Sequence, residues 1–180
     1  MPRQIQLVIL CEDQQQAVFA RHYFIQRGIH PRKIRVNINP GGQGSAEQYV
    51  REQYLREVIA YRSRSSHLAI ALAVLIDADN YSVEQRMKQL TKVLEDNSQR
   101  PRQNNERIAL FVPKRNIETW IHYLRDTAVD EESDYPKLVR TGDCKPDVIR
   151  LVTEICPVGL PEDAPPSLQV ACDELSRIMP

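Results

Sequence analysis

The stretch "AVLIDADNYS", residues 73–82, decides how the chain is read. It extends an apolar run that begins at Leu68 and ends at Ile76, then places two carboxylates two residues apart, Asp77 and Asp79. A continuous apolar run of strand length, without alternation, fits a strand covered on both faces. Two other segments have the same character, "IQLVILC" (5–11) and "RIALFVP" (107–113), and "IRVNINP" (34–40), which alternates Ile34, Val36 and Ile38, reads as a further strand closed by Pro40. Between and after them lie segments with helical spacing, at 14–28, 46–62, 83–97 and 117–124. Ser82 with Gln85 makes a capping box ahead of the third helix, and Asn116 is placed to cap the fourth. Strand–helix repeated four times predicts an α/β fold with a mainly parallel four-stranded sheet flanked by helices. Residues 126–138 read as an acidic connection, followed by shorter helices near 145–155 and 166–178. The expectation is one domain, with a core over 1–125 and a C-terminal helical extension over 126–180.

In an open parallel sheet, sites form at the carboxyl ends of the strands. Acids gather there. The first strand ends at Glu12 and Asp13, the third at Asp77 and Asp79, and Glu118 follows the fourth. Each has an ordinary reading as a turn residue, a helix cap or a first-turn acid. Together they point to a hard divalent cation, Mg²⁺ or Mn²⁺, because crowded carboxylates repel unless neutralised. Side chains two apart on extended backbone share a face, which would let Asp77 and Asp79 converge. For Glu12 and Asp77 to share an ion, strands one and three must be neighbours. The predicted order is therefore 2-1-3-4.

These residues carry a resemblance. A Glu ending strand one, and a later apolar strand ending in Asp-x-Asp, resembles the TOPRIM motif of topoisomerases, primases and OLD-type nucleases. "VPKRNIETW" (112–120), with a Glu in the helix after a strand, looks like the compact TOPRIM-like proteins related to RloB, which are linked to bacterial defence. The resemblance covers residues 5–124, and more loosely the "PPSLQVACDELSRI" end. It implies metal-binding places for Glu12, Asp77 and Asp79 and an accessory place for Glu118. In one position the chain departs from the pattern: Asp13 stands where many relatives have Gly. The same strand order also resembles response-regulator receivers, but a fifth strand is missing and Asp79 and Glu118 would have no task.

The remaining features frame the partners. Lys plus Arg and Asp plus Glu are 24 each among 180 residues, so the basic excess usual in a free-standing nucleic-acid binder is absent. Arg62, Arg64, Arg100, Arg102 and Arg107 can form a local phosphate-binding surface, or simply a solvated one. Lys114 and Arg115 can hold a phosphate beside Glu118. The Gly41–Gly44 loop can present backbone N–H groups to a phosphate, but lacks the P-loop Lys-Ser/Thr and reads better as a flexible turn. His122 stands four residues from Glu118, as a ligand or as an ordinary surface histidine. The four cysteines lack CxxC spacing, which argues against zinc and for reduced thiols in the cytoplasm. No segment reads as a membrane span. Two functions fit. One is a metal-dependent phosphodiester-cleaving protein acting on DNA or RNA, with Glu12, Asp77, Asp79, Lys114 and Glu118 taking part. The other is a non-catalytic subunit of a multi-protein defence system. Either is expected to work with a partner protein or a second copy.

Overall fold

Ile70–Leu75 (β3) is buried along its whole length, and its residues alternate between two hydrophobic cores. Ala71, Ala73 and Leu75 face one core; Ile70, Leu72 and Val74 face the other. A strand with water on neither face has no polar positions to alternate, which is why the sequence shows none. The computed structural model describes residues 5–41 and 44–179. Gln6–Cys11 (β1), Ile34–Ile38 (β2) and Ile108–Phe111 (β4) complete an all-parallel sheet in the order β2-β1-β3-β4. That is the predicted order. β1 is hydrogen-bonded to β2 on one side and β3 on the other, so the chain changes direction of travel across the sheet at the gap between β1 and β3.

Helices cover both faces. Ala46–Arg64 (α2) and Val83–Asp96 (α3) pack the Val58–Leu72–Leu90 side. Gln14–Gln26 (α1), Ile117–Leu124 (α4), Lys145–Arg150 (α5) and Pro166–Leu175 (α6) pack the other. The caps follow sequence chemistry. Asp13, Ser45 and Ser82 each accept from a backbone N–H in the first turn, and Ser82 with Gln85 closes the expected capping box. Asn116 does not: it sits at the N-cap of α4 without a side-chain cap bond, and its Oδ1 is buried without a partner. On α2 the apolar stripe includes Tyr54 and Tyr61, while Ile59 is 45% exposed.

The C-terminal segment is tied to the sheet. Glu174 of α6 accepts from Leu110 N–H on edge strand β4 (2.8 Å) and pairs with Arg102. This covers an edge that would otherwise offer free backbone groups. Trp120 of α4 donates to Ser167 of α6 (2.8 Å), and Arg125 pairs with Asp147 of α5. α5 runs into a π-helical turn, Leu151–Ile155, so the helix expected over 145–155 changes its pitch halfway. Among the described residues no helix is long and apolar enough to cross a membrane.

Candidate functional site

The site begins where β1 and β3 end side by side. Glu12 leaves β1 and its Oε1 accepts from the backbone N–H of Asp77 (2.6 Å). Gln16, in the first turn of α1 and fully buried, joins the two ends. Its Oε1 accepts from Glu12 N–H and its Nε2 donates to Asp77 Oδ1, both at 2.9 Å. The pairing of strands one and three thus brings Glu12 and Asp77 together as the sequence predicts. Nothing within "QQQ" (14–16) marks Gln16 as the glutamine that faces inward here.

Burial dominates the electrostatics. Asp77 is held well above the usual carboxylate range, first by desolvation and then by the charges of Glu12 and Asp13. Glu12 is pushed up to about 7 by burial, reinforced by Asp79 and Asp13 and opposed by the Asp77 N–H and Arg86. A carboxyl whose folded pKa is raised stabilises the fold only while protonated. For Glu12 that contribution is full below about 4.5 and lost as pH rises through about 7. Glu47 and Glu106, lowered by arginine partners, act in the opposite sense below the same 4.5. His22, lowered by burial, opposes the trend from just below its ordinary 6.5. The comparison of wild type with Glu12→Gln isolates the Glu12 share. In urea titrations with chelator, wild-type stability should fall between pH 5 and 8, and Glu12→Gln should flatten that fall. Equal slopes in the two proteins would refute the assignment.

Asp79 is placed differently. Its φ is +53°, and across an isolated bridge it faces Arg115 with φ +66°. Two non-glycine residues in left-handed backbone store strain at the end of the β3–β4 pair. The extended alternation expected to align Asp79 with Asp77 therefore stops short of Asp79. Its carboxylate turns toward the Arg86 guanidinium (Nη2 to Oδ2, 3.4 Å). Arg86 is 2% exposed. Its Nε donates to the Asp77 carbonyl (2.9 Å), and its Nη1 to Glu47 (3.0 Å) and Gln89 (2.8 Å). The guanidinium stacks 5.0 Å from the centre of the Tyr81 ring. In the sequence it is one of many arginines on an amphipathic helix.

Lys114 reaches the Asp79 carbonyl (Nζ–O, 3.4 Å), and Arg115 binds Asn80 (2.7 Å) and Asp134 (3.2 Å). Glu118 is 3% exposed, and its carboxyl is raised first by burial and then by the Asp13 charge. His122 is occupied by the Pro136 carbonyl and stacked near Tyr135. Arg62 is locked to Glu106 and Arg102 to Glu174, which neutralises much of the expected basic surface within the fold. Of the Gly41–Gly44 loop, residues 42–43 lie outside the described residues; Gly41 and Gly44 both have positive φ, as a tight turn requires.

The donor set suits a hard cation: all the candidate ligands are carboxylate oxygens. Glu12 uses Oε1 alone and Asp77 uses Oδ1 alone in hydrogen bonds, leaving one oxygen on each for a ligand. Yet among the described residues no three Asp, Glu, His or Cys side chains stand as a ready ligand set. Arg86 holds Asp79 to one side, so a third carboxylate for such an ion would come only from Asp79 freed of Arg86 or from a movement of Glu118 or Asp13. Comparison with family models, curated proteins and solved structures finds no match to this chain.

Proposed function

We propose that the protein is a TOPRIM-type, divalent-metal-dependent phosphodiester-cleaving enzyme acting on DNA or RNA. It would work in the cytoplasm, in bacterial defence, with a partner protein or a second copy of itself. The observation that carries this reading is the pairing of buried Asp77 with half-buried Glu12: among the described residues neither carboxyl forms an ion pair, Glu12 accepts from the Asp77 N–H, and the neutral Gln16 joins the Asp77 carboxyl to the Glu12 backbone. Glu12 and Asp77 would hold Mg²⁺ or Mn²⁺, joined by Asp79 on its release from Arg86, with Glu118 as the accessory acid. The bound cation would activate a water and neutralise charge on the phosphate. Gln16 keeps the two carboxyls in register through bonds to both strand ends. Lys114 stands at the rim beside Asp79 and is free to meet a phosphate oxygen as negative charge develops there.

One well-placed donor is worth on the order of 3 kcal/mol in such a transition state. Lys114→Ala should therefore slow cleavage by about a hundredfold. Its melting temperature should stay unchanged, because the wild-type Nζ makes only a long contact to a carbonyl. The assay titrates Mg²⁺ and Mn²⁺ over single- and double-stranded DNA and RNA, with and without candidate partner proteins. Glu118→Gln should also lower the rate and recover partly in excess Mn²⁺. Absence of cleavage under every condition transfers the reading to a non-catalytic subunit. The observation favouring that second reading is the Arg86–Asp79 pair, which occupies one of the expected ligands.

A further inference from the structure

Two thiols remote from the strand ends have no part in the reading above. Cys156 closes the π-helical turn, with its N–H on the Leu151 carbonyl (2.8 Å). Cys172 lies on α6. Both line one apolar cavity of about 50 Å³ beneath α6. Both also line a pocket of about 520 Å³ that opens to solvent beside Arg27. Cys11 and Cys144, by contrast, are fully buried. The Tyr23 hydroxyl lies 3.8 Å from Cys156 Sγ. Cys156 is drawn down to about 6, first by the neighbouring Cys172 thiol and, against burial, by the Tyr23 hydroxyl and the Arg27 charge. Cys172 is raised correspondingly and keeps its proton. Two half-buried thiols that line one pocket open to solvent have the placement a nucleophilic and a resolving cysteine require.

We propose that Cys156 and Cys172 form a modification site at which a peroxide is reduced and an intramolecular disulfide is made. The Cys156 thiolate attacks one peroxide oxygen and the O–O bond breaks. Cys156 becomes a sulfenic acid, and the departing hydroxide takes the Cys172 proton to give water. The Cys172 thiolate then attacks the sulfenic sulfur, the S–O bond breaks, and the hydroxide released is protonated from solvent to the second water. The two thiols lose two electrons and the peroxide gains them. The bond closes the proline-rich loop between Cys156 and Cys172 and pins the π-helical turn to α6. α6 is the helix whose Ser167 holds Trp120 of α4.

The test treats the full-length wild-type protein with graded hydrogen peroxide and maps its peptides without reduction. The expected result is a Cys156–Cys172 disulfide formed before any change at Cys11 or Cys144, two free thiols lost per chain, and full reversal by dithiothreitol. Cys172→Ser should stop at a dimedone-trappable sulfenic acid on Cys156, and Cys156→Ser should make no disulfide. Oxidation that begins at Cys11 or Cys144, links two chains, or takes Cys156 to sulfinic acid without a bond to Cys172 would overturn the proposal. The mapping on wild type decides this even if a variant folds poorly.

Discussion

In chelator at pH 8, an Asp77→Asn chain should melt above the wild type by roughly 2–12 °C. Asp77 is 7% exposed, and the charges that act on its carboxyl most strongly are Glu12 and Asp13. Arg86 spends its Nε on the Asp77 backbone carbonyl and not on the carboxylate. An uncompensated buried charge of this kind costs about 1–3 kcal/mol. The amide removes that charge while its oxygen still accepts from Gln16. Divalent metal should reverse the ranking. Binding to the folded state alone contributes about 2.7 kcal/mol at a hundred times the dissociation constant. Wild type should therefore rise in Mg²⁺ or Mn²⁺ and overtake the variant, which should not respond and should not cleave. If the variant melts below wild type in chelator, Asp77 is a structural acceptor. If both proteins gain equally from metal, the ion binds elsewhere.

How far this site could be read from sequence depends on the residue. Glu12 and Asp77 were legible because apolar runs mark where strands one and three end, and a shared ion requires those two strands to be neighbours, as they are in the sheet. Asp79 was legible as a residue near the site but not in its orientation. A left-handed φ on a non-glycine residue is set by the tertiary bridge to Arg115, which no local pattern announces. Gln16 and Arg86 were illegible for a related reason. Each is a polar residue on a helix, and only packing decides that one faces inward with all its bonds met. The π-helical turn was likewise hidden, since "LVTEI" is compatible with an ordinary helix and differs only in which carbonyl Cys156 N–H finds. The fold was carried by repeated, redundant apolar signals; the site was finished by single contacts.

Those single contacts make Arg86 the residue with the largest expected structural effect. Its guanidinium serves the Asp77 carbonyl, Glu47, Gln89 and Asp79 at once, from a position 2% exposed. Removing one partner of a buried charged network costs about 3–5 kcal/mol, because the other groups stay buried without their counter-charge. Arg86→Met keeps much of the side-chain volume, so its cost reports the network more than a cavity. It should lower the melting temperature by roughly 6–20 °C for a domain of this size. Arg86→Lys should recover only part of this, since a single ammonium cannot reproduce the fork that reaches four groups. The two ideas about Asp79 then separate. If Arg86 stands in for a cation at that carboxylate, its removal frees Asp79 while adding net negative charge beside Glu12 and Asp77. Mg²⁺ should then return more stability to Arg86→Met than it adds to wild type, and Asp79→Asn placed on top should cancel that gain. A gain from Mg²⁺ that is no larger in Arg86→Met, or that survives Asp79→Asn, would mean that the arginine is structural only and that Asp79 never joins the ion.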